Sequence, residues 1–358
     1  MIDDKDISIV VQGPVIKKSA FDITEETTKL ACLRLKQLFP HAEIILSTWI
    51  GEKVQGIPYD QVLFNQDPGA TWFNYEDYNL LNNCNRLIVS TLAGIKAATR
   101  KYVFKVRSDL FLVSKNFLSY FDAFPLFNNE YKFVTNRIIA FSLYSTTGHK
   151  TCLFTMNRPF HISDWAYFGY KEDLLDLFDI PLTEEPEFSQ WFLHRCKDFF
   201  DIEPNRLWKM PPEQYVTLSF LQKHCDVRLK HTADISDNNM ERSARLLVNN
   251  FLVLDQTQFS LISMKYLNFQ LLFDSYLSHT AIFYSTFLQN YCHYMPVSKA
   301  LLFKYQIIVF WRKLIYRMLN IPLRLINGKS RRISRLVSYF IKQSQIETKQ
   351  SKLIKNAE

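Results

Sequence analysis

The feature that most constrains the fold is a series of short apolar runs, alternating with helical patterns, each ending in a polar turn. Ile7-Ser-Ile-Val-Val11 closes on Gln12-Gly13-Pro14. Leu30, Leu33, Leu35 and Leu38 predict a helix over 24–39 that stops at Pro40. Further strands are predicted over 43–48, 61–64 and 102–106, with Asp67-Pro68-Gly69 after the third and Arg107-Ser108-Asp109 closing the fourth. Between these last two, residues 82–99 carry Ile88, Leu92, Ile95 and Ala98 on one helical face. Such alternation predicts an α/β fold: a mainly parallel central sheet flanked by helices. In sheets of this class the ligand crevice lies beyond the carboxyl ends of the strands. That rule singles out Gln12, Gly13 and Pro14, the Asp67 turn, and Arg107, Ser108 and Asp109.

The middle of the chain predicts a strand over 166–170, short helices over 172–178 and 212–223, and a last strand over 227–230. Past residue 240 the pattern becomes helical and aromatic, consistent with 30 Phe and 18 Tyr overall. Two regions are therefore expected, an α/β domain over 1–240 and a helical extension over 241–358. Residues 299–358 hold 14 Lys/Arg against Glu347 and Glu358 alone, whereas the remainder is slightly acidic. On a helical wheel, Lys313, Arg317 and Arg324 share an arc while Phe310, Leu314, Ile315 and Met318 fill much of the rest. A basic amphipathic tail predicts an anionic membrane surface as partner, through residues 299–355. Nucleic acid is not expected, because no nucleic-acid-binding motif accompanies the charge. No secretory signal occurs and no transmembrane helix is expected, which predicts a cytosolic or membrane-surface location. The six cysteines are widely spaced and read as reduced thiols.

Several residues could carry chemistry. Asp109, just past a buried strand, could place a divalent cation (Mn²⁺ or Mg²⁺) against a ligand's phosphates, or could instead pair with Arg107 or Lys105. Asn85 and Arg86 lie on the first turn of the second helix, where a pyrophosphate would be favoured; a solvated capping cluster is the alternative. Asp164 precedes Trp165, an acid beside an aromatic wall of the kind that binds sugars, and could act as a general base. Glu213 and Gln214 open a helix as candidate groups for acceptor hydroxyls. No P-loop, dinucleotide, nucleophile-elbow or zinc-protease motif occurs.

Seven blocks in order then resemble the WavE lipopolysaccharide synthesis family. They are Ile9-Val-Val-Gln12-Gly13-Pro14, the stretch from Phe39 to Trp49, Asp67-Pro68-Gly69, the stretch from Asn82 to Gly94, Lys105-Val-Arg107-Ser108-Asp109, Ile162-Ser-Asp164-Trp165 and Pro212-Glu213-Gln214-Tyr215. They cover about residues 7–225. The resemblance implies a GT-A-like fold that binds a nucleotide-sugar donor and extends a lipid-linked glycan acceptor of lipopolysaccharide or capsule. It also implies a peripheral position at the cytoplasmic face of the bacterial inner membrane. It would place Gln12, Gly13 and Pro14 against the nucleotide, and Asn85, Arg86, Arg107, Ser108 and Asp109 around the diphosphate. Asp164 would be the catalytic base, with Trp165, Glu213 and Gln214 on the acceptor. Arg107 stands where such enzymes usually carry the first acid of an Asp-x-Asp metal motif, so either Asp109 alone holds the metal or Arg107 supplies part of the charge. A sugar-nucleotide pyrophosphorylase and a non-catalytic scaffold of polysaccharide assembly are the rival readings.

Overall fold

A computed structural model describes residues 2–17, 26–75, 78–145, 158–193, 207–232, 234, 236–264 and 283–328. The chain divides into two compact units, 1–309 and 310–358.

The first unit is built on β1 (Ile7–Gln12), every residue of which is buried. On one side it pairs in parallel with β2 (Glu43–Trp49), and β2 with β3 (Gln61–Asn65). A hairpin of β4 (Thr71–Tyr75) and β5 (Tyr78–Asn82) follows. On its other side β1 pairs in parallel with β6 (Tyr102–Arg107), and β7 (Leu110–Leu112) leaves the sheet. The sheet is completed by β8 (Ile138–Phe141), β9 (Ala166–Tyr170) and β10 (Phe251–Leu254), in the order β10-β8-β9-β6-β1-β2-β3. β9 pairs antiparallel with both its neighbours, while all other pairs of this seven-stranded sheet are parallel. β11 (Leu261–Ser263) pairs with β7.

Alternation of side chains along these strands divides the core into two layers. Ile9, Val11, Ile44, Leu46, Phe104, Val106 and Phe168 face one way, onto α1 (Thr27–Leu38). Val10, Ile45, Val103, Tyr167 and Ile138 face the other, onto α2 (Cys84–Ala97), α3 (Lys171–Phe178) and α4 (Pro212–Gln222). α5 (Asp237–Asn250), the single-turn α6 (Gln256–Phe259) and α7 (Phe283–Tyr294) follow, and α7 buries Phe287, Leu288 and Tyr291 in the first layer. α8 (Lys299–Gly328) runs through Pro322 as one helix.

The expected α/β class with a mainly parallel sheet is observed. Two expectations are corrected. The division at residue 240 does not hold, because β10 is an edge strand of the central sheet and β11 belongs to the same unit. The strand expected over 227–230 is extended, with Val227 and Leu229 buried in alternation, but it joins no sheet. Cys32, Cys84, Cys225 and Cys292 are free thiols, as expected of these four. Cys152, Cys196 and most of the basic segment after Gly328 lie outside the described residues.

α2 lies close against the sheet because Gly94 has no side chain. A Cβ there would stand 2.3 Å from Val10 Cγ1 and 3.2 Å from Ser47 Cβ. Alanine gains about 1 kcal/mol in helix propensity, but forcing the overlap costs roughly 1–3 kcal/mol or more. Gly94→Ala is therefore expected to lower the denaturation midpoint, as measured by urea unfolding. A stabilised variant would show that the helix moves away freely.

Candidate active site

The carboxyl ends of β1, β2 and β6 open onto a cleft of about 700 Å³. Its floor is stitched from main chain. Gly13 N donates to Ser47 O at 3.0 Å, and Ser108 N to Gln12 O at 2.9 Å. Ser108 Oγ donates to Pro14 O at 2.6 Å, and Thr28 Oγ1 to Ser108 O at 3.1 Å. Gly13 sits at φ +116°, and a Cβ there would meet Ser108 Oγ at 3.2 Å, so this turn requires glycine. Gln12, Gly13, Pro14 and Ser108 thus all border the cleft, and Ser108 acts chiefly as a tie between two strand ends.

Gln12 has an additional feature. Its Nε2 donates to Ser90 Oγ at 3.2 Å, and Ser90 Oγ donates onward to Arg86 O at 2.7 Å. Its buried Oε1 has no partner. A buried acceptor left unmade is costly in an isolated protein, and a ligand donor would satisfy it.

Two arginines face the cleft, and both are held by aspartates. Arg86 reaches Asp67 through Nε at 2.8 Å and a terminal nitrogen at 2.6 Å, and Asn83 Oδ1 at 3.1 Å. The Arg86 hydrogen bonds hold Asp67 below the usual carboxylate range, assisted by the Gly69 N–H at 2.9 Å. Arg107 grips Asp109 in the same bidentate way, at 3.0 and 2.7 Å. Its guanidinium lies 4.7 Å from the centre of the Trp165 ring.

Asp164, nine-tenths buried, lines the cleft together with Pro212. It arrives there because β9 is antiparallel: Ala166, the first residue of β9, pairs with Val106, next to the last of β6. The entry to β9 thereby meets the exit of β6.

Four expected site residues sit elsewhere. Asn85 accepts from Thr183 N at 2.7 Å and Thr183 Oγ1 at 2.9 Å, tying down the segment after α3. Neighbours on a helix diverge by about 100°, so Asn85 faces away when Arg86 faces the cleft. Trp165 is a core residue, 2 % exposed and packed on Phe141 and Tyr144, and its ring supports Arg107 from behind. Gln214 is fully buried, its Nε2 bonded to Pro159 O at 2.8 Å. Glu213, partly buried, does not border the cleft, though the field of Asp164 reaches it. The cleft also uses Trp49 and Asn83, which the sequence did not distinguish as site residues. Their signal was positional, since each closes a strand or opens a helix at the same edge.

No group of three or more His, Cys, Asp or Glu converges among the described residues in a way that could hold a metal ion. His161 is buried and held neutral, its basicity lowered by burial and then by Arg158.

Burial, and then the negative charge of Asp164, push the Glu213 carboxyl up to about 8 from an ordinary 4.5. The folded protein thus holds this proton more tightly than the unfolded chain, so the contribution of Glu213 to stability is fully present below about pH 4.5 and is lost as pH rises towards about 8. Glu213→Gln should flatten that decline. Its Tm advantage over wild type is expected to widen between pH 5 and pH 8 in calorimetry, whereas parallel curves would disprove the assignment.

Comparison with known proteins bears on the identity of this unit. The sequence matches the WavE lipopolysaccharide synthesis family over residues 7–321, well beyond the expected limit near 225. No curated protein matches the chain. Among solved structures, 4-diphosphocytidyl-2C-methyl-D-erythritol synthase from Anaerococcus prevotii is similar with a TM-score of 0.31 and 12% identity, covering 67% of this chain and 97% of its own. A nucleoside-diphosphate-sugar pyrophosphorylase from Vibrio cholerae gives a TM-score of 0.28 and 11% identity, covering 60% and 88%. The chain belongs to the WavE lipopolysaccharide synthesis family, and its role lies in lipopolysaccharide synthesis.

Proposed function

We propose that the protein is a glycosyltransferase that moves a sugar from a nucleotide donor to a growing lipopolysaccharide or capsular glycan. The observation that carries this reading is the meeting, in one cleft, of an unpartnered acceptor (Gln12 Oε1), two arginines and the Asp164 carboxylate, which neither arginine grips. Gln12 Oε1 suits an N–H or O–H of the nucleoside. Arg86 and Arg107 suit the two phosphates, for which guanidinium geometry is well matched.

In the reaction, Asp164 takes the proton of the acceptor hydroxyl as its oxygen attacks the anomeric carbon. The bond from that carbon to the diphosphate breaks, and the leaving group departs with an added negative charge. Arg86 and Arg107 meet that charge where it develops, which is the kind of interaction that raises kcat. A divalent cation (Mn²⁺ or Mg²⁺) would be held by Asp109 with phosphate oxygens completing its shell, and would supply further charge neutralisation. That role requires Asp109 to yield an oxygen now bonded to Arg107.

The acceptor's lipid end suits the second unit. Phe310, Trp311, Ile315 and Met318 are exposed there, beside the basic Arg312 and Lys313. No described helix is long and apolar enough to cross a membrane. We place this helix in the headgroup layer at the cytoplasmic face of the inner membrane.

Asp164→Asn should retain nucleotide binding but lose transfer by about 100-fold or more, the scale of general-base catalysis. Transfer from UDP-, GDP- or CMP-activated sugars to lipopolysaccharide lacking its outer sugars checks this, and wild-type rates in the variant would refute the role. Asp67→Asn should bind nucleoside diphosphate more tightly. Releasing Arg86 from an exposed pair worth up to about 1 kcal/mol gives a gain of roughly fivefold in calorimetric Kd. Weaker binding would instead make Asp67 part of the receptor.

A further inference from the structure

Lys105 is out of place by any packing rule. It lies in β6, flanked by β1 and β9, and is fully buried. The face it shares presents Val10, Val103 and Tyr167 to the helices. Removing an ammonium from water is expensive, and an apolar side chain of similar size commonly serves stability better. Lys105 makes no ion pair among the described residues. Its Nζ donates to the main-chain oxygen of Asp164, with the Tyr167 and Phe178 rings centred 5.8 and 5.9 Å away. Burial lowers its pKa to about 7.

The partner of that bond indicates its use. Asp164 stands just outside β9, where the sheet ladder no longer fixes the chain. Arg107 N donates to Trp165 O at 3.2 Å, so β6 holds two successive carbonyls, one through its main chain and one through Lys105. Trp165 N of the same peptide donates to Ser163 Oγ at 3.4 Å, a local bond that does not tie it to the sheet. Without the Lys105 bond the Asp164 carbonyl loses its side-chain tie to β6, and the carboxylate is less firmly placed at the cleft wall.

We infer that Lys105 is a positioning residue for Asp164, acting through the Asp164 main-chain oxygen to hold the carboxylate where the acceptor hydroxyl arrives. The inference rests on the proposed role of Asp164 as base.

The test compares wild type, Lys105→Met and Asp164→Asn in the full chain. Three quantities are measured: Tm, amide hydrogen exchange over 163–166, and transfer kinetics with whichever UDP-, GDP- or CMP-activated sugar supports transfer. In Lys105→Met, Tm should equal or exceed that of wild type, since the burden of a buried charge is gone. Exchange over 163–166 should rise about tenfold. The donor KM should stay within about twofold while kcat falls about tenfold or more, as small displacements of a reacting group do. Unchanged exchange would overturn the inference. So would an unchanged kcat beside a dead Asp164→Asn, or a parallel collapse of Tm, kcat and KM, which would mark a merely structural lysine. An active Asp164→Asn would instead remove the proposed base, with the exchange result still reporting on Lys105. Should the methionine variant not fold, Lys105→Leu, which likewise carries no donor, replaces it. Loss of kcat at unchanged donor KM then supports the inference, and wild-type kinetics overturn it.

Discussion

The antiparallel pairing of β9 with β6 is the contact on which the candidate site depends. A wholly parallel sheet would deliver only strand exits to the carboxyl edge, and those exits here are Gln12, Trp49 and Arg107. Because β9 runs against its neighbours, its entry arrives at the same edge and brings Asp164 to within the cleft. One opening is therefore faced by the exits of three parallel strands, Arg107 among them, by Arg86 from α2, and by a carboxylate from the reversed strand. The conformation of the strand exits is in turn fixed by the stitching of Gly13, Ser47 and Ser108, which leaves little freedom in the floor.

Each arginine of the cleft is paired with an aspartate. Arg86 and Arg107 each hold an aspartate in a bidentate grip, so two donors of each guanidinium are already engaged. Such pairing keeps both side chains ordered before a ligand binds, and an incoming diphosphate would exchange one anion for another. The exchange is affordable because the Asp67–Arg86 pair is partly exposed, where ion pairs contribute little. The Asp109–Arg107 pair is more enclosed and backed by the Trp165 ring, which favours a lasting orientation of that guanidinium.

Much of this was legible in the sequence. β1, β2, β3, β6 and α2 followed from apolar periodicity closed by turns, and eight of the twelve expected site residues border one cleft. The failures have specific causes. Asn85 and Arg86 are adjacent in sequence, and only the register of α2 on the sheet decides which faces the cleft. Trp165 looked like a sugar platform beside Asp164, but adjacent residues entering a strand point to opposite sides, so one lines the cleft while the other enters the core. Gln214 was absorbed by packing at the start of α4. β10 is a four-residue apolar run inside an aromatic-rich region, and such a run does not distinguish strand from helix. The direction of β9, on which the position of Asp164 turns, leaves no local mark in the sequence.

The most direct measurement is the location of a bound nucleoside diphosphate, obtained by crystallography of the full chain with UDP, GDP or CDP and Mn²⁺. The expected result is a diphosphate between Arg86 and Arg107, with Asp67 displaced and the nucleoside bonded to Gln12 Oε1. A nucleotide seated elsewhere, or none at millimolar concentration, would contradict the assignment of this cleft.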